Sequence, residues 1–152
     1  MKTYDFQKFL FKSAITVMAC DGSIDEKEIS EIKNIADNEI YFMGYEYESS
    51  LIDNLAFIKS SGKNAINQYL TELSNADLND KQELLLIEVL LRTIESDHRI
   101  EPNEIKFLQM VKSKLKTTEE VLISKFPKQI DHLIDFHNYG LHEEFTDEII
   151  FE

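Results

Sequence analysis

Residues 79–94 decide the fold of this chain; they read NDKQELLLIEVLLRTI. Asn79 is a favourable N-cap, and the residues that follow are apolar on nearly every side of a helix. A helix that is apolar all round is buried, so we expect this one at the centre of the molecule. Elsewhere apolar residues recur at spacings of three and four without strand-like alternation, which predicts an all-α fold.

The same spacing predicts further helices on both sides of this central one. Pro102 favours the first turn of a helix, and Thr117 with Glu120 has the spacing of a capping box. We expect a compact single-domain bundle of about seven to eight helices. The additional segments lie near residues 4–20, 25–40, 48–59, 63–73, 102–115, 117–126 and 129–137.

Composition and charge exclude several classes of function. A chain of 152 residues suits one domain, and its 16 basic and 29 acidic residues give a net charge of −13. That charge argues against nucleic-acid binding and against adsorption to an anionic membrane, and favours cations or basic protein partners. No apolar run approaches the ~20 residues that span a bilayer. The lone Cys20 cannot form an internal disulfide, which fits a reducing, cytoplasmic setting.

The C-terminal segment differs in composition from the rest of the chain. Residues 129–152 contain seven acids and no Lys or Arg, so they carry −7 of the −13. They also contain many apolar residues, too many for a purely solvating tail. We therefore divide the chain into a helical domain, 1–126, and an acidic segment, 127–152, that docks on it. The expected contact surface is basic: Lys106, Lys112, Lys114 and Lys116.

A weak internal repeat relates residues 18–29 to residues 94–105 at a constant offset of 76. The shared pattern is D-x-x-I-[DE]-x-x-E-I, and each copy follows an apolar helix and precedes an amphipathic one. The identical pairs are Asp21 and Asp97, Ile24 and Ile100, Glu28 and Glu104, and Ile29 and Ile105.

Helix capping is one interpretation of this pattern. Asp25 with Glu28 resembles a capping box, and Ile24 with Ile29 has the spacing of a hydrophobic staple. Capping gives no role to Asp21, however, and the residue that replaces Asp25 in the second copy, Glu101, belongs to a type that caps poorly.

Cation binding is the other interpretation. Residues 21–28 match the second half of an EF-hand loop, with Glu28 at the last ligand position. The first half is absent, so two half-sites would have to meet at one shared cation. Oxygen ligands favour a hard ion, Ca²⁺ or Mg²⁺. The candidate ligands are Asp21, Asp25, Glu28, Asp97, Glu101 and Glu104.

The duplicated helix, acidic turn and helix resemble the tellurite-resistance TerB family and its TerB-like relatives. Residues 19–28 match the family's Asp-Gly turn and acidic helix start, and residues 96–104 match its second copy except at His98. The resemblance covers about residues 6–126. It implies a compact all-α cytoplasmic protein linked to tellurite or general stress resistance, with divalent cations as ligands of the acidic turns.

Enzyme signatures are absent from the sequence. There is no H-E-x-x-H or G-x-S-x-G motif, and Gly62-Lys63 lacks the upstream glycine of a phosphate loop. We therefore expect a non-enzymatic protein. Two functions stay open: a cation-binding, TerB-like stress protein, and a metal-free helical module that binds a protein partner while its acids only cap helices.

Overall fold

The structure, a computed structural model, describes residues 1–22, 24–96, 100–141, 144–146 and 149. Within those residues it contains eight α-helices and no β-strand, which confirms the predicted all-α fold. Short 3₁₀ helices lie at Ile40–Phe42, Pro127–Gln129 and Tyr139–Leu141. The α-helices are α1 Thr3–Ala19, α2 Glu26–Asn38, α3 Glu48–Ser61, α4 Lys63–Asn75, α5 Asp80–Glu95, α6 Pro102–Lys114, α7 Glu119–Lys125 and α8 Ile130–Leu133.

Helix α5 is buried at the centre of the fold, as its apolar sequence predicts. Its most extensive contacts are with α1, and it also packs against α2 and α6. Five of its side chains have no exposed surface: Leu86, Ile87, Val89, Leu90 and Ile94. Met18 and Asp21, at the end of α1, line the same pocket as Thr93 and Ser96, at the end of α5, so these two helices end at the same side of the bundle.

Local sequence sets the starts of α5 and α6. Asn79 Oδ1 accepts a hydrogen bond from the Gln82 N–H at 2.9 Å, and Gln82 Oε1 accepts one from the Asn79 N–H at 3.0 Å. These two bonds form a capping box and satisfy N–H groups that the first helical turn leaves without partners. Pro102 is the first residue of α6, where its missing N–H has no cost.

The start of α7 differs by one residue from the sequence prediction. Thr118, not Thr117, is the N-cap, and its Oγ1 accepts from the Val121 N–H at 3.3 Å. The N–H and hydroxyl of Thr117 instead donate to Glu83 Oε1, at 2.9 and 2.6 Å. Glu83 belongs to α5 and is only 3% exposed. A buried carboxylate far away in sequence therefore determines where α7 begins.

The helix expected near residues 129–137 is also shorter than its pattern suggests. Helix α8 ends at Leu133, and Asp135 then accepts hydrogen bonds from the N–H groups of Tyr139, at 2.8 Å, and Gly140, at 2.6 Å. The chain before this turn lies against α6, where Gln109 donates to the carbonyl oxygen of His132. Within the described part of the chain, no helix has the length and apolar composition that crossing a bilayer requires.

Candidate functional site

The first acidic turn joins α1 to α2 and is shaped by its glycine and its N-cap. Gly22 has a φ of 98°, a conformation that side-chain-bearing residues rarely adopt. Ile24 is then buried, and the backbone of Asp25 is extended, with a φ of −114° and a ψ of 176°. Asp25 Oδ1 accepts a hydrogen bond from the Glu28 N–H at 2.8 Å. The capping interpretation is thus correct for Asp25.

The second acidic turn joins α5 to α6 and begins its helix in a related way. Glu101 is the N-cap of α6 and forms a capping box with Glu104. The Glu101 N–H donates to Glu104 Oε1 at 3.4 Å, a long hydrogen bond. Ile100, the counterpart of the buried Ile24, is 46% exposed. The predicted ligand Asp97 and its neighbour His98 lie outside the described residues.

Residues of both turns line one pocket of about 240 Å³. Of the five predicted ligands that the structure describes, four lie on its wall, and one of these four, Glu104, belongs to the second turn. Glu101 is not part of the lining. The four are Asp21, Asp25, Glu28 and Glu104.

Other residues complete the lining, and the sequence interpretation did not include them. Glu31 lies one helical turn beyond Glu28, and that spacing was a usable signal. Thr93 and Ser96 come from the end of α5, where only the packing of α5 against α2 shows that they face the first turn. Lys27 adds a positive charge, whereas the other described residues of the lining are acidic or neutral.

Glu28 is the buried carboxylate of this pocket. Its side chain is 9% exposed, and its Oε2 atom is buried. Burial, then a hydrogen bond to the Asp21 carboxyl and the negative charges of Asp21 and Asp25, raise the pKa of Glu28 to about 9. The backbone N–H of Asp25 opposes this change and lowers the pKa. Without a cation, Glu28 therefore holds a proton at neutral pH.

Glu104 is the matching buried carboxylate on α6, at 5% exposure. Its position as third residue of the helix places it near the positive end of the helix dipole, as Glu28 is in α2. Two buried glutamates from two helix starts thus face a common cavity. This arrangement is more than capping requires, because a capping glutamate functions equally well when it is exposed to solvent.

The carboxylates are not arranged as a finished coordination shell. Among the described residues, no group of three or more His, Cys, Asp or Glu side chains has the geometry to hold a metal ion. Part of the reason is visible in the caps, because Asp25 Oδ1 and Glu104 Oε1 accept backbone N–H groups. A cation would bind through the second oxygen of these carboxylates or draw one of them away from its cap.

Comparison with known proteins adds no family assignment. Neither protein-family models, nor curated proteins, nor solved structures contain a match to this chain. The likeness to TerB proteins therefore stays a prediction that rests on the two acidic turns.

Proposed function

We propose that this protein is a non-enzymatic, TerB-like stress protein of the cytoplasm that binds one divalent cation, Ca²⁺ or Mg²⁺, in the pocket between its acidic turns. The observation that carries the proposal is the pair of buried glutamates, Glu28 and Glu104, on the wall of one acidic pocket. A buried carboxylate that is not paired is costly, and either a proton or a cation removes that cost.

The lining supports a hard cation. Asp21, Glu28 and Glu104 offer carboxylate oxygens, and Ser96 adds a hydroxyl oxygen. Ca²⁺ and Mg²⁺ prefer oxygen ligands and complete their shells with water, for which the cavity has room. The soft thiol of Cys20 is not part of the lining; it is buried and donates to the carbonyl oxygen of Thr16. The lining thus favours Ca²⁺ or Mg²⁺ over ions that prefer thiolate ligands.

The test is calorimetric titration of the metal-stripped protein with Ca²⁺, Mg²⁺, Mn²⁺ and Zn²⁺. At a hundredfold excess over Kd, binding should stabilise the fold by about 2.7 kcal/mol, or roughly 5 to 10 °C in Tm. Binding at pH 7 should also release a proton from Glu28, so the measured heat should depend on the ionisation enthalpy of the buffer. The absence of both heat and thermal shift with every ion would exclude the proposal.

Matched variants locate the cation. Glu28→Gln and Glu104→Gln should each weaken binding at least about tenfold, because each removes a charged ligand. Glu101→Gln is the control, since Glu101 caps the same helix as Glu104 but does not line the pocket. Lys27→Gln should tighten binding about threefold by removing a positive charge from the wall. Equal affinities in all four variants would place the ion elsewhere.

The alternative function is a metal-free module that binds a protein partner. The caps at the two helix starts support this alternative. Asp25 and Glu104 both satisfy backbone N–H groups at a helix start. Large apolar side chains are exposed outside the pocket lining, at Ile40, Met43 and Ile52. In this case Glu28→Gln changes stability only on the scale of a cap, and no ion shifts the Tm. The titration with Glu28→Gln therefore separates the two functions.

A further inference from the structure

The 3₁₀ helix Ile40–Phe42 and the turn that follows it expose two large apolar side chains beside each other. Ile40 is 77% exposed and Met43 is 73% exposed, and the Met43 N–H donates to the Ile40 carbonyl oxygen at 3.0 Å. Both side chains line a cleft of about 460 Å³, whose wall also includes the buried rings of Phe42 and Tyr45. Single exposed apolar residues are ordinary, but neighbouring ones around a cleft are typical of a binding surface.

Hydrogen bonds from other elements fix the backbone of this turn. Gln7 of α1 donates through Nε2 to the carbonyl oxygens of Tyr41, at 3.2 Å, and Met43, at 3.0 Å. On the far side of the turn, the hydroxyls of Tyr45 and Ser50 are hydrogen-bonded to each other. The exposed side chains are therefore presented by a backbone that is already ordered, which lowers the entropy cost of binding a partner.

The charge around the cleft is negative. Residues 34–58 contain five acids and no Lys or Arg, and the described lining of the cleft contains no basic residue either. Asp37 is exposed on this lining and accepts a hydrogen bond from the Tyr47 hydroxyl at 3.0 Å. That donor is neutral, so the charge of Asp37 is kept. Glu39, also in the lining, is paired with Arg92 of α5, and its charge is offset.

This charge distinguishes between the occupants that an apolar cleft could have. A symmetric dimer through the cleft would bring two acidic surfaces, and two chains of charge −13, against each other. An anionic membrane would be repelled for the same reason. A basic segment of another protein is attracted instead, and its apolar side chains cover Ile40 and Met43.

We propose that the cleft at Ile40 and Met43 is a docking site for a basic segment of a partner protein, which inserts one or two apolar side chains. The apolar contact supplies most of the affinity, while Asp37 and the acids near it in sequence select against acidic segments. The cleft shares no described lining residue with the pocket between the acidic turns. The proposal therefore holds whether or not that pocket binds a cation.

The experiment uses the full-length chain and three fluorescein-labelled synthetic peptides of equal length. One is composed of leucine and lysine, one of serine and lysine, and one of leucine and glutamate. The leucine–lysine peptide should bind at least about tenfold more tightly than either of the others by fluorescence anisotropy, because it alone combines basic charge with apolar side chains. In NMR spectra of the isotope-labelled protein, it should shift the amide signals of residues 37–46.

Variants of exposed residues locate the peptide. Ile40→Ser should weaken binding of the leucine–lysine peptide at least about tenfold, because it removes an apolar contact. Asp37→Asn should weaken it about threefold at low salt and less at high salt, and asparagine still accepts from the Tyr47 hydroxyl. Leu141→Ser is the matched control and should leave binding unchanged. Leu141 is 81% exposed on the 3₁₀ helix that packs against α6, outside the cleft lining.

Three outcomes overturn the proposal. If the serine–lysine peptide binds as tightly as the leucine–lysine peptide, charge alone attracts it. If Ile40→Ser has no effect, or an effect no larger than that of Leu141→Ser, the peptide binds elsewhere. If the unaltered protein forms a dimer in sedimentation experiments and Ile40→Ser abolishes it, the occupant is a second copy. Should circular dichroism show that Ile40→Ser does not fold, Met43→Ser carries the same test.

Discussion

The turn between α1 and α2 and the turn between α5 and α6 place the same residue types in the same order, yet their surroundings differ. Each buries its glutamate at the third helical position, Glu28 at 9% and Glu104 at 5% exposure. The isoleucine before the cap is buried in the first turn, at 6%, and 46% exposed in the second, at Ile100. What the two turns share is the buried carboxylate, and what they do not share is the anchoring of the turn to the core.

The acidic motif can have two roles: it can start a helix, and it can place a carboxylate in the pocket. Both turns keep a cap at the start of the helix, at Asp25 and at Glu101. The hydrophobic staple differs between the turns, whereas a buried glutamate that faces the common pocket is present in both. The comparison thus favours a shared role for Glu28 and Glu104 at their common pocket, and the following changes test it in order of expected size.

The largest effect should come from the two isoleucines. Ile24→Ala removes a side chain that is 6% exposed, and should lower the free energy of unfolding by about 2–5 kcal/mol. Ile100→Ala removes one that is 46% exposed, and should cost about 1 kcal/mol or less. Urea denaturation of both variants measures the difference. Equal losses would mean that the two turns are anchored alike.

The pH dependence of the free energy of unfolding should come mainly from Glu28. Its pKa lies near 4.5 in the unfolded chain and is raised to about 9 in the folded one, so the folded protein holds an additional proton between these values. The free energy of unfolding should therefore fall as pH rises from 4.5 to 9, by at most about 1.4 kcal/mol per pH unit, and level off above. The slope falls below this limit near pH 4.5 and near pH 9, where the folded and unfolded states differ by less than one bound proton.

Glu28→Gln should remove most of that slope, because glutamine resembles a protonated glutamate and does not titrate. The matched change Glu101→Gln should preserve it. The measurement is urea denaturation between pH 6 and 9 in metal-free buffer. A slope that persists in Glu28→Gln would assign the titration to another group.

Most of the fold could be predicted because its determinants are local. The apolar spacing of α5, the capping box at Asn79 and the proline at position 102 all act within one or two helical turns. The prediction was wrong at Thr117 because its hydrogen-bonding groups are taken by Glu83, more than thirty residues away. A capping pattern in sequence cannot show that a distant buried carboxylate competes for the same donor.

Part of the candidate site could be predicted from the sequence for the same reason. Asp21, Asp25 and Glu28 belong to one continuous motif, and the repeat pointed to Glu104 across the fold. Thr93 and Ser96 carry no comparable signal, because they join the pocket only through the packing of α5 beside α2. Glu101 shows the limit of the repeat: the same position in the motif does not line the pocket in the second copy.

Substitution of Gly22 should have a smaller effect on stability, and this effect concerns the first turn alone. At a φ of 98°, Gly22→Ala should cost about 1–2 kcal/mol, since an alanine rarely adopts this conformation. Gly22→Asn should cost less, because asparagine tolerates positive φ better than other side chains. Thermal denaturation of the two variants measures the ranking. If alanine proved no worse than asparagine, the backbone of this turn would not require glycine.

The smallest effects should distinguish the two caps. Asp25→Ala removes a side chain that accepts the Glu28 N–H at 2.8 Å, and should cost about 1 kcal/mol. Glu101→Ala should cost only a few tenths of that, because glutamate is a poor N-cap and the Glu104 side chain still accepts the backbone N–H of residue 101. Neither variant should abolish cation binding, since Glu28 and Glu104 keep their charges. Loss of binding in Glu101→Ala, at unchanged stability, would mean that the second turn contributes Glu101 to the ion after all, and that the two copies are more alike in function than in their surroundings.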